Sequence, residues 1–376
     1  MRFQDIPGLE EVKNKLIEAV KVDHVAHAQL FLGAEGSANL PMALAFAAYL
    51  NCENKQESDA CGECSSCTKQ AKHIHPDVHF VFPTSATPKI KREDATSEKF
   101  LKEWRDYLQK SPYGNVSDWS FHFGWENKQL IIPRQESRNI ITNLSLKAFE
   151  GKYKVMLIWL PELMNSNAAN GILKVLEEPP AKTIFLMVSN DENKLLTTIR
   201  SRVQLMKIPS FTDENISSTV SKVEGTSAER AQEITYLAEG NMREALHLVQ
   251  GGQDAMGVQF KQWMRLCFTF DFQALVKMAD EFQSGGKEFQ KGLLNTGSKV
   301  MRDTLIHQYE VTELERIPDA EKGFVANFGK VFNTEKIAEA VPKIEEAAYH
   351  IERNANPKIL FLDLSLAIAQ IARSKK

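Results

Sequence analysis

Two short runs in this chain, Val155-Met156-Leu157-Ile158-Trp159-Leu160 and Ile184-Phe185-Leu186-Met187-Val188, are apolar at every position. A strand with one wet face alternates apolar and polar residues, so a strand without alternation must be covered on both faces. In short segments that means a parallel sheet sandwiched between helices. Gln29–Leu32, Val78–Phe82, Leu130–Ile132 and Val203–Ile208 read as further strands, with helical patterns between them. The rhythm predicts an α/β sheet domain over residues 1–208. After Pro209-Ser210-Phe211 the strand signals stop, and residues 209–252 read as a small helical unit. Residues 253–376 read as a larger helical domain, with apolar residues at helix spacing in Phe260, Trp263, Leu266 and Phe270. The 376 residues suit two or three domains.

One segment, 83–127, breaks the strand–helix rhythm. It is polar and charged, with Lys89-Ile90-Lys91-Arg92-Glu93-Asp94 and the aromatic-rich stretch Asp118–Trp125. It reads as an insertion at the sheet's edge whose aromatics build a small satellite core, the alternative being a binding surface.

Between the first strand and the helix after it lies Gly33-Ala34-Glu35-Gly36-Ser37-Ala38-Asn39-Leu40. Strand, glycine-bearing loop and helix is the layout of a phosphate-binding loop of pattern G-x-x-x-x-G-K-[ST]. Gly33 fits the first position and Gly36 lies within the loop. Ala38, Asn39 and Leu40 stand where the second glycine, the phosphate-binding lysine and the magnesium-binding hydroxyl belong. The strand Lys154–Ile158 then runs into Trp159-Leu160, where an active enzyme places Asp-Glu. Glu162 lies past the strand end, in the wrong register. Losing all of these together predicts that the frame of a nucleotide site survives without its chemistry, and ATP is not expected to bind. The loop's backbone N–H groups leave weak binding as the alternative.

Four of the five cysteines share one window, Cys52 followed by Cys61, Cys64 and Cys67. Overlapping C-x-x-C steps curl the backbone so that thiolates converge, and Cys52, after the preceding helix, supplies a fourth ligand. The expectation is a closed structural Zn²⁺ site; a redox dithiol is the alternative. His73 and His75 lie nearby and read as surface residues, the alternative being that one replaces a cysteine as ligand, and Cys267 reads as core.

Asn165–Pro180 reads as a capped helix containing Asn167-Ala168-Ala169-Asn170-Gly171-Ile172-Leu173-Lys174-Val175-Leu176-Glu177-Glu178-Pro179-Pro180, and Lys194–Gln204 as another helix. Together with the cysteine window, these segments resemble the bacterial DNA polymerase III clamp-loader family. The resemblance is strong over roughly residues 1–250 and architectural beyond. It implies an AAA+ P-loop-type domain carrying a zinc module, a small helical lid and an all-α collar. It further implies a subunit that is not an ATPase by itself and works within the polymerase III holoenzyme. The implied partners are the gamma/tau and delta subunits, with the sliding clamp and primer-template DNA reached through the complex. The family's serine-arginine-cysteine motif falls on Ser201-Arg202-Val203, which makes Arg202 an arginine finger acting in trans, with valine replacing the cysteine. The family's sensor arginine falls on Arg243, the alternative being a purely structural arginine with no triphosphate to sense. Competing readings are an ATPase subunit of the same complex with an unorthodox site, and a nucleic-acid-reading zinc module.

Lys+Arg 46 against Asp+Glu 49 gives a net charge of -3, so no bulk field draws the chain to nucleic acid. The charged start and the lack of a 20-residue apolar stretch predict no signal peptide, no membrane span and a cytoplasmic location.

Overall fold

The computed structural model describes residues 1–125, 128–250, 255–311, 314–317, 319–353 and 355–374. The expected end of the insertion at Asn127 and the expected boundary at 252–253 fall outside them. The chain forms two compact units, Met1–Ser227 with Ala238–Leu246, and Ala228–Leu237 with His247–Lys376.

In the first unit, five strands form one sheet: β1 (Ala28–Leu32), β2 (Val78–Val81), β3 (Lys154–Trp159), β4 (Thr183–Ser189) and β5 (Gln204–Lys207). All neighbours pair in parallel, in the order β2-β3-β4-β1-β5. Every residue of β3 and β4 is buried, which is what their unbroken apolar runs require. Helices α1 (Glu10–Lys21), α2 (Asn39–Asn51), α3 (Ser65–Ala71), α4 (Leu101–Lys110), α5 (Val116–Phe123), α6 (Arg134–Ser145), α7 (Ser166–Glu177), α8 (Thr197–Arg200) and α9 (Asp213–Val220) complete the strand–helix succession. α2 is buried along its whole length, so it has no wet face to present. α7 begins where Asn165 Oδ1 accepts the Ala168 N–H at 2.7 Å, and ends before the Pro179-Pro180 pair.

Two expected elements are corrected. Leu130–Ile132 is not a strand of the sheet and makes only isolated bridges, Ile131 to Thr84 and Ile132 to Met164. Pro133 follows directly and starts α6 as its N-cap, leaving too few residues to extend a ladder. Lys194–Gln204 is not one helix. Only Thr197–Arg200 is helical, because Gln204 is already paired with Gln29 in the sheet.

The insertion builds a core of its own, as expected. Trp104, Tyr107, Trp119 and Trp125 are buried. Trp104 stacks on Phe82 at 4.3 Å between ring centroids, and Trp119 meets the same ring edge-on at 5.3 Å. Glu136, on α6, is buried against this layer and its Oε2 accepts the Ser97 N–H at 2.8 Å. Burial pushes its carboxyl up from 4.5 to about 7. A raised folded-state value means that the fold holds the proton the unfolded chain gives up, so this contribution is complete below pH 4.5 and is lost as pH rises through 7. Glu136→Gln keeps an acceptor for Ser97 and removes the titration. It is expected to raise the melting temperature at pH 8 by a few degrees and to change little at pH 4. Thermal melts at both pH values check this, and an equal shift at both would count against the buried acid as the cause.

The second unit holds most of α10 (Ala228–Ala238), the end of α11 (Met242–Val249), and α12 (Ala255–Thr269), α13 (Phe272–Ser284), α14 (Gly286–Gln308), α15 (Asp319–Val331), α16 (Thr334–Glu352) and α17 (Pro357–Arg373). Its all-helical core gathers Phe260, Trp263, Phe282, Ile344, Phe361 and Ile368. Trp263 Nε1 donates to Ser365 Oγ at 2.8 Å, which satisfies the indole inside the core. Cys267 is buried there, as expected.

Candidate nucleotide-site remnant and metal centre

Parallel α/β sheets take ligands beyond the carboxyl ends of their strands, where the strand order reverses. Here the chain passes from β1 in the interior to β2 at the far edge, so the segments after β1, β3 and β4 converge at such a point. Gly33 N donates to Ser189 O at 3.2 Å, tying the loop after β1 to the end of β4. A Cβ on Gly33 would stand 2.3 Å from Ser37 Oγ and 2.8 Å from Ile208 O, so only glycine fits.

Asn39 is buried, and its amide is used up between the loop and the end of β4. Nδ2 donates to Gly33 O at 3.1 Å, to Ser189 O at 3.2 Å and to Asn190 Oδ1 at 2.9 Å, while Oδ1 accepts the Leu40 N–H at 2.8 Å. The side chain at the lysine position therefore points back into the frame, and its donors are spent on neighbouring oxygens. Leu40 is buried and has no hydroxyl to offer. The loop's own charged residue is Glu35, an acid that would repel a triphosphate.

At the end of β3, Trp159 packs against Trp104 at 5.0 Å and Tyr107 at 6.1 Å between centroids, both rings belonging to the insertion. Carboxylates at this position would be buried under aromatic rings without partners. Leu160 holds a left-handed backbone, φ 56°, which costs a side chain of this size about 1–2 kcal/mol. Glu162 follows, accepting the Asn190 N–H at 3.3 Å, and burial pushes its carboxyl up to about 6.

Arg243 reaches the same region from α11. Its Nε and Nη2 bond both carboxylate oxygens of Asp118, on insertion helix α5, at 2.6 and 2.7 Å. The structure thus brings Gly33, Gly36, Asn39, Leu40, Trp159, Leu160 and Arg243 to one place, together with Asp118 and Asn115, which the sequence reading did not single out. The spacing of those two, Asn115 capping α5 and Asp118 three residues on, is a capping-box signature and was legible as one.

Arg202 stands elsewhere. It follows α8 and precedes β5, so it lies at the amino ends of the parallel strands, whereas the loop after β1 lies at their carboxyl ends. Its guanidinium is half-buried on α7, donating from Nε to Glu177 Oε1 at 2.6 Å and from Nη1 to Thr198 O at 2.7 Å.

The sulfurs of Cys52, Cys61, Cys64 and Cys67 all lie within 4.8 Å of one another, and none is in a disulfide. Thiolates on a tetrahedral zinc at about 2.3 Å sit about 3.8 Å apart. Cys61 and Cys67 sulfurs are 3.8 Å apart. Backbone N–H groups point at the sulfurs, from Cys61 to Cys52, from Cys64 to Cys61 and from Cys67 to Cys64, at 3.3, 3.3 and 3.4 Å. Two such donors, Cys64 and Glu63, hold the Cys61 thiol down at about 6. Such donors orient and stabilise metal-bound thiolates, so the four residues could hold a metal ion. His73 and His75 are corrected: both are buried, not on the surface. The His73 ring packs edge-on against Phe80, and His75 Nδ1 accepts the Asp77 N–H at 3.1 Å, so neither joins the sulfur set.

A protein-family model described as "DNA polymerase III, delta subunit" matches residues 8–212. The chain belongs to that family. Among curated relatives, this delta-subunit family member is 29% identical to a DNA polymerase III subunit delta' of Pseudomonas aeruginosa over 177 residues, 47% of this chain and 41% of that one. It is 26% identical to DNA polymerase III subunit tau of Bacillus subtilis over 253 residues, 66% of this chain and 37% of that one. Both matches span less than two thirds of the relative. A solved structure of a DNA polymerase III gamma subunit-related protein from Thermotoga maritima aligns at 15% identity and a TM-score of 0.42, over 95% of this chain and 100% of its own. Among the described residues no helix is long and apolar enough to cross a membrane.

Proposed function

We propose that this chain is a delta-prime-type subunit of the DNA polymerase III clamp loader that neither binds nor hydrolyses ATP and lends Arg202 to a neighbour's site. The observation that carries the reading is Asn39: the side chain at the lysine position is spent on its own loop and on the end of β4, so no lysine ammonium meets a phosphate there. Arg202 at the opposite end of the sheet cannot serve that loop, which supports action in trans. The proposed partners are gamma/tau and delta subunits, with clamp and primer-template DNA engaged through the assembly. Residues 209–252 would form the lid and 253–376 the collar through which subunits associate, with the α/β domain at 1–208. A cytoplasmic location accords with this role. Cys52, Cys61, Cys64 and Cys67 would hold a structural Zn²⁺; with four protein ligands it keeps no open position for chemistry.

The test of the assembly is co-purification with gamma/tau and delta of the same organism. A stable complex is expected, and failure to form one would overturn the reading. The purified chain alone is expected to release phosphate from ATP no faster than buffer. Asn39→Lys should not rescue it, because the hydroxyl and both acids are also missing and the new ammonium would meet the same crowded carbonyls. Clear magnesium-dependent turnover by the wild-type chain would restore the competing ATPase reading.

A further inference from the structure

The insertion does more than form a satellite core, because its helix α5 makes polar contacts on two sides of the loop after β1. On one side Asn115, the N-cap of α5, donates from Nδ2 to Glu35 Oε2 at 3.2 Å. On the other, Asp118 takes the two-point bond from Arg243. The segment carrying Arg243 is itself docked on the loop. Met242 N donates to Gly36 O at 3.0 Å, and a Cβ on Gly36 would stand 1.8 Å from Asn241 Oδ1. Glu35, Asn115, Asp118, Arg243, Asn241 and Gly36 therefore close a ring through three chain segments that are far apart in sequence.

The helix that does this is rigidly held. Asn115 Oδ1 accepts the Ser117 and Asp118 N–H groups, and Asp118 Oδ2 accepts the Asn115 N–H at 3.0 Å. The buried Tyr107 hydroxyl donates to Asn115 O at 2.8 Å, and Trp119 Nε1 donates to Pro83 O at 2.8 Å. Asp118 is thus aimed before it meets Arg243. A guanidinium bound at both nitrogens to one carboxylate is also geometrically satisfied, in the way a phosphate would satisfy it.

We propose that α5 is a built-in ligand: the Asp118 carboxylate occupies Arg243 in place of an external anion and latches residues 240–246 onto the loop at 33–40 without nucleotide. In most ligand-closed clefts two segments approach because a bound molecule bridges them; here the bridge is covalently part of the chain. Closure then needs no bound molecule. This rests on the degenerate-site reading above, yet it is tested on the isolated chain, so loss of one does not entail loss of the other.

The experiment is amide hydrogen exchange on the full-length chain with and without magnesium-ATP, which reads local opening segment by segment. In the wild type, residues 33–40 and 240–246 are expected to exchange slowly and to ignore nucleotide. Asp118→Asn keeps an oxygen for the Asn115 N–H but removes the charge. It should raise exchange at 240–246 about tenfold, as should Arg243→Met, while the double variant exceeds neither, because both delete one contact. Arg243→Lys should fall between, since a point charge cannot bond both oxygens. Exchange in β3 and β4 reports the fold as a whole and should stay unchanged throughout. If Asp118→Asn disturbs β3 and β4, the Arg243 pair decides. Unchanged exchange at 240–246 in those variants, additive effects of the two single substitutions, or protection of the wild-type loop by ATP would each overturn the latch.

Discussion

Replacing Arg202 with alanine is expected to leave the chain folded and able to assemble while cutting DNA-stimulated ATP turnover and clamp loading by the complex it joins. An arginine supplied in trans stabilises charge that grows on the transferring phosphoryl oxygens, and its removal costs on the order of 10³ to 10⁵ in rate at the site it serves. Only one adjoining site would be affected, so the fall measured for the whole assembly is smaller. Folding should hardly change. The guanidinium is partly exposed and its bonds to Glu177, Thr198 O and Ser201 Oγ are surface contacts, worth no more than about 1 kcal/mol. Arg202→Lys should rescue poorly, because the charge remains and the planar fork is lost. The measurement is steady-state ATP hydrolysis and clamp loading by reconstituted complexes of equal stoichiometry. Wild-type rates with the alanine variant would show that Arg202 is an ordinary surface arginine paired with Glu177.

The second large effect is expected at the cysteines. Freshly prepared protein should carry about one zinc per chain, and Cys64→Ser should lose most of it. Structural zinc contributes about 10–16 kcal/mol of binding free energy in small modules near neutral pH, so losing a ligand removes the main force ordering that segment. The rest of the unit should survive, because β3, β4 and α2 are buried along their whole lengths and carry no cysteine. Metal analysis, with proteolysis across residues 52–67, checks both halves. Protein that is fully folded in this segment and metal-free would show that backbone N–H groups alone hold the thiols.

These two sites differ in how much of them could be read from the chain. The sulfur cluster was legible because its ligands are close in sequence: C-x-x-C steps converge through local backbone geometry, whatever surrounds them. Arg202 stood out only through the resemblance to a family motif. That Glu177 holds it, from a helix 25 residues earlier, depends on how α7 packs beside the turn into β5. The histidines show the same limit in reverse. His73 and His75 look like surface residues in a polar stretch, yet both are buried: the His73 ring packs on Phe80, and His75 lies 3.6 Å from Glu150, far along the chain.

By itself the sequence pointed to the parallel sheet, since short unbroken apolar runs such as those of β3 and β4, alternating with helical patterns, suit strands covered on both faces. It determined that Asn39 and Leu40 stand after β1, and Trp159 and Leu160 at the end of β3, so that no lysine, hydroxyl or acid is available at those four positions whatever the fold. It determined the helical character of the second unit through residue spacing. What only the tertiary structure decided is what packs around the loop after β1. Leu130–Ile132 failed as a strand because a proline and a helix start claimed the next residues. Asn39 turned inward because Ser189 and Asn190, 150 positions away, offer it oxygens. Asp118 met Arg243 across 125 positions because the insertion folds back over the ends of the strands. Local patterns carry periodicity and caps, which depend on neighbours in the chain. Partners for buried polar groups come from whichever segments the sheet topology brings alongside, and no window of sequence contains them.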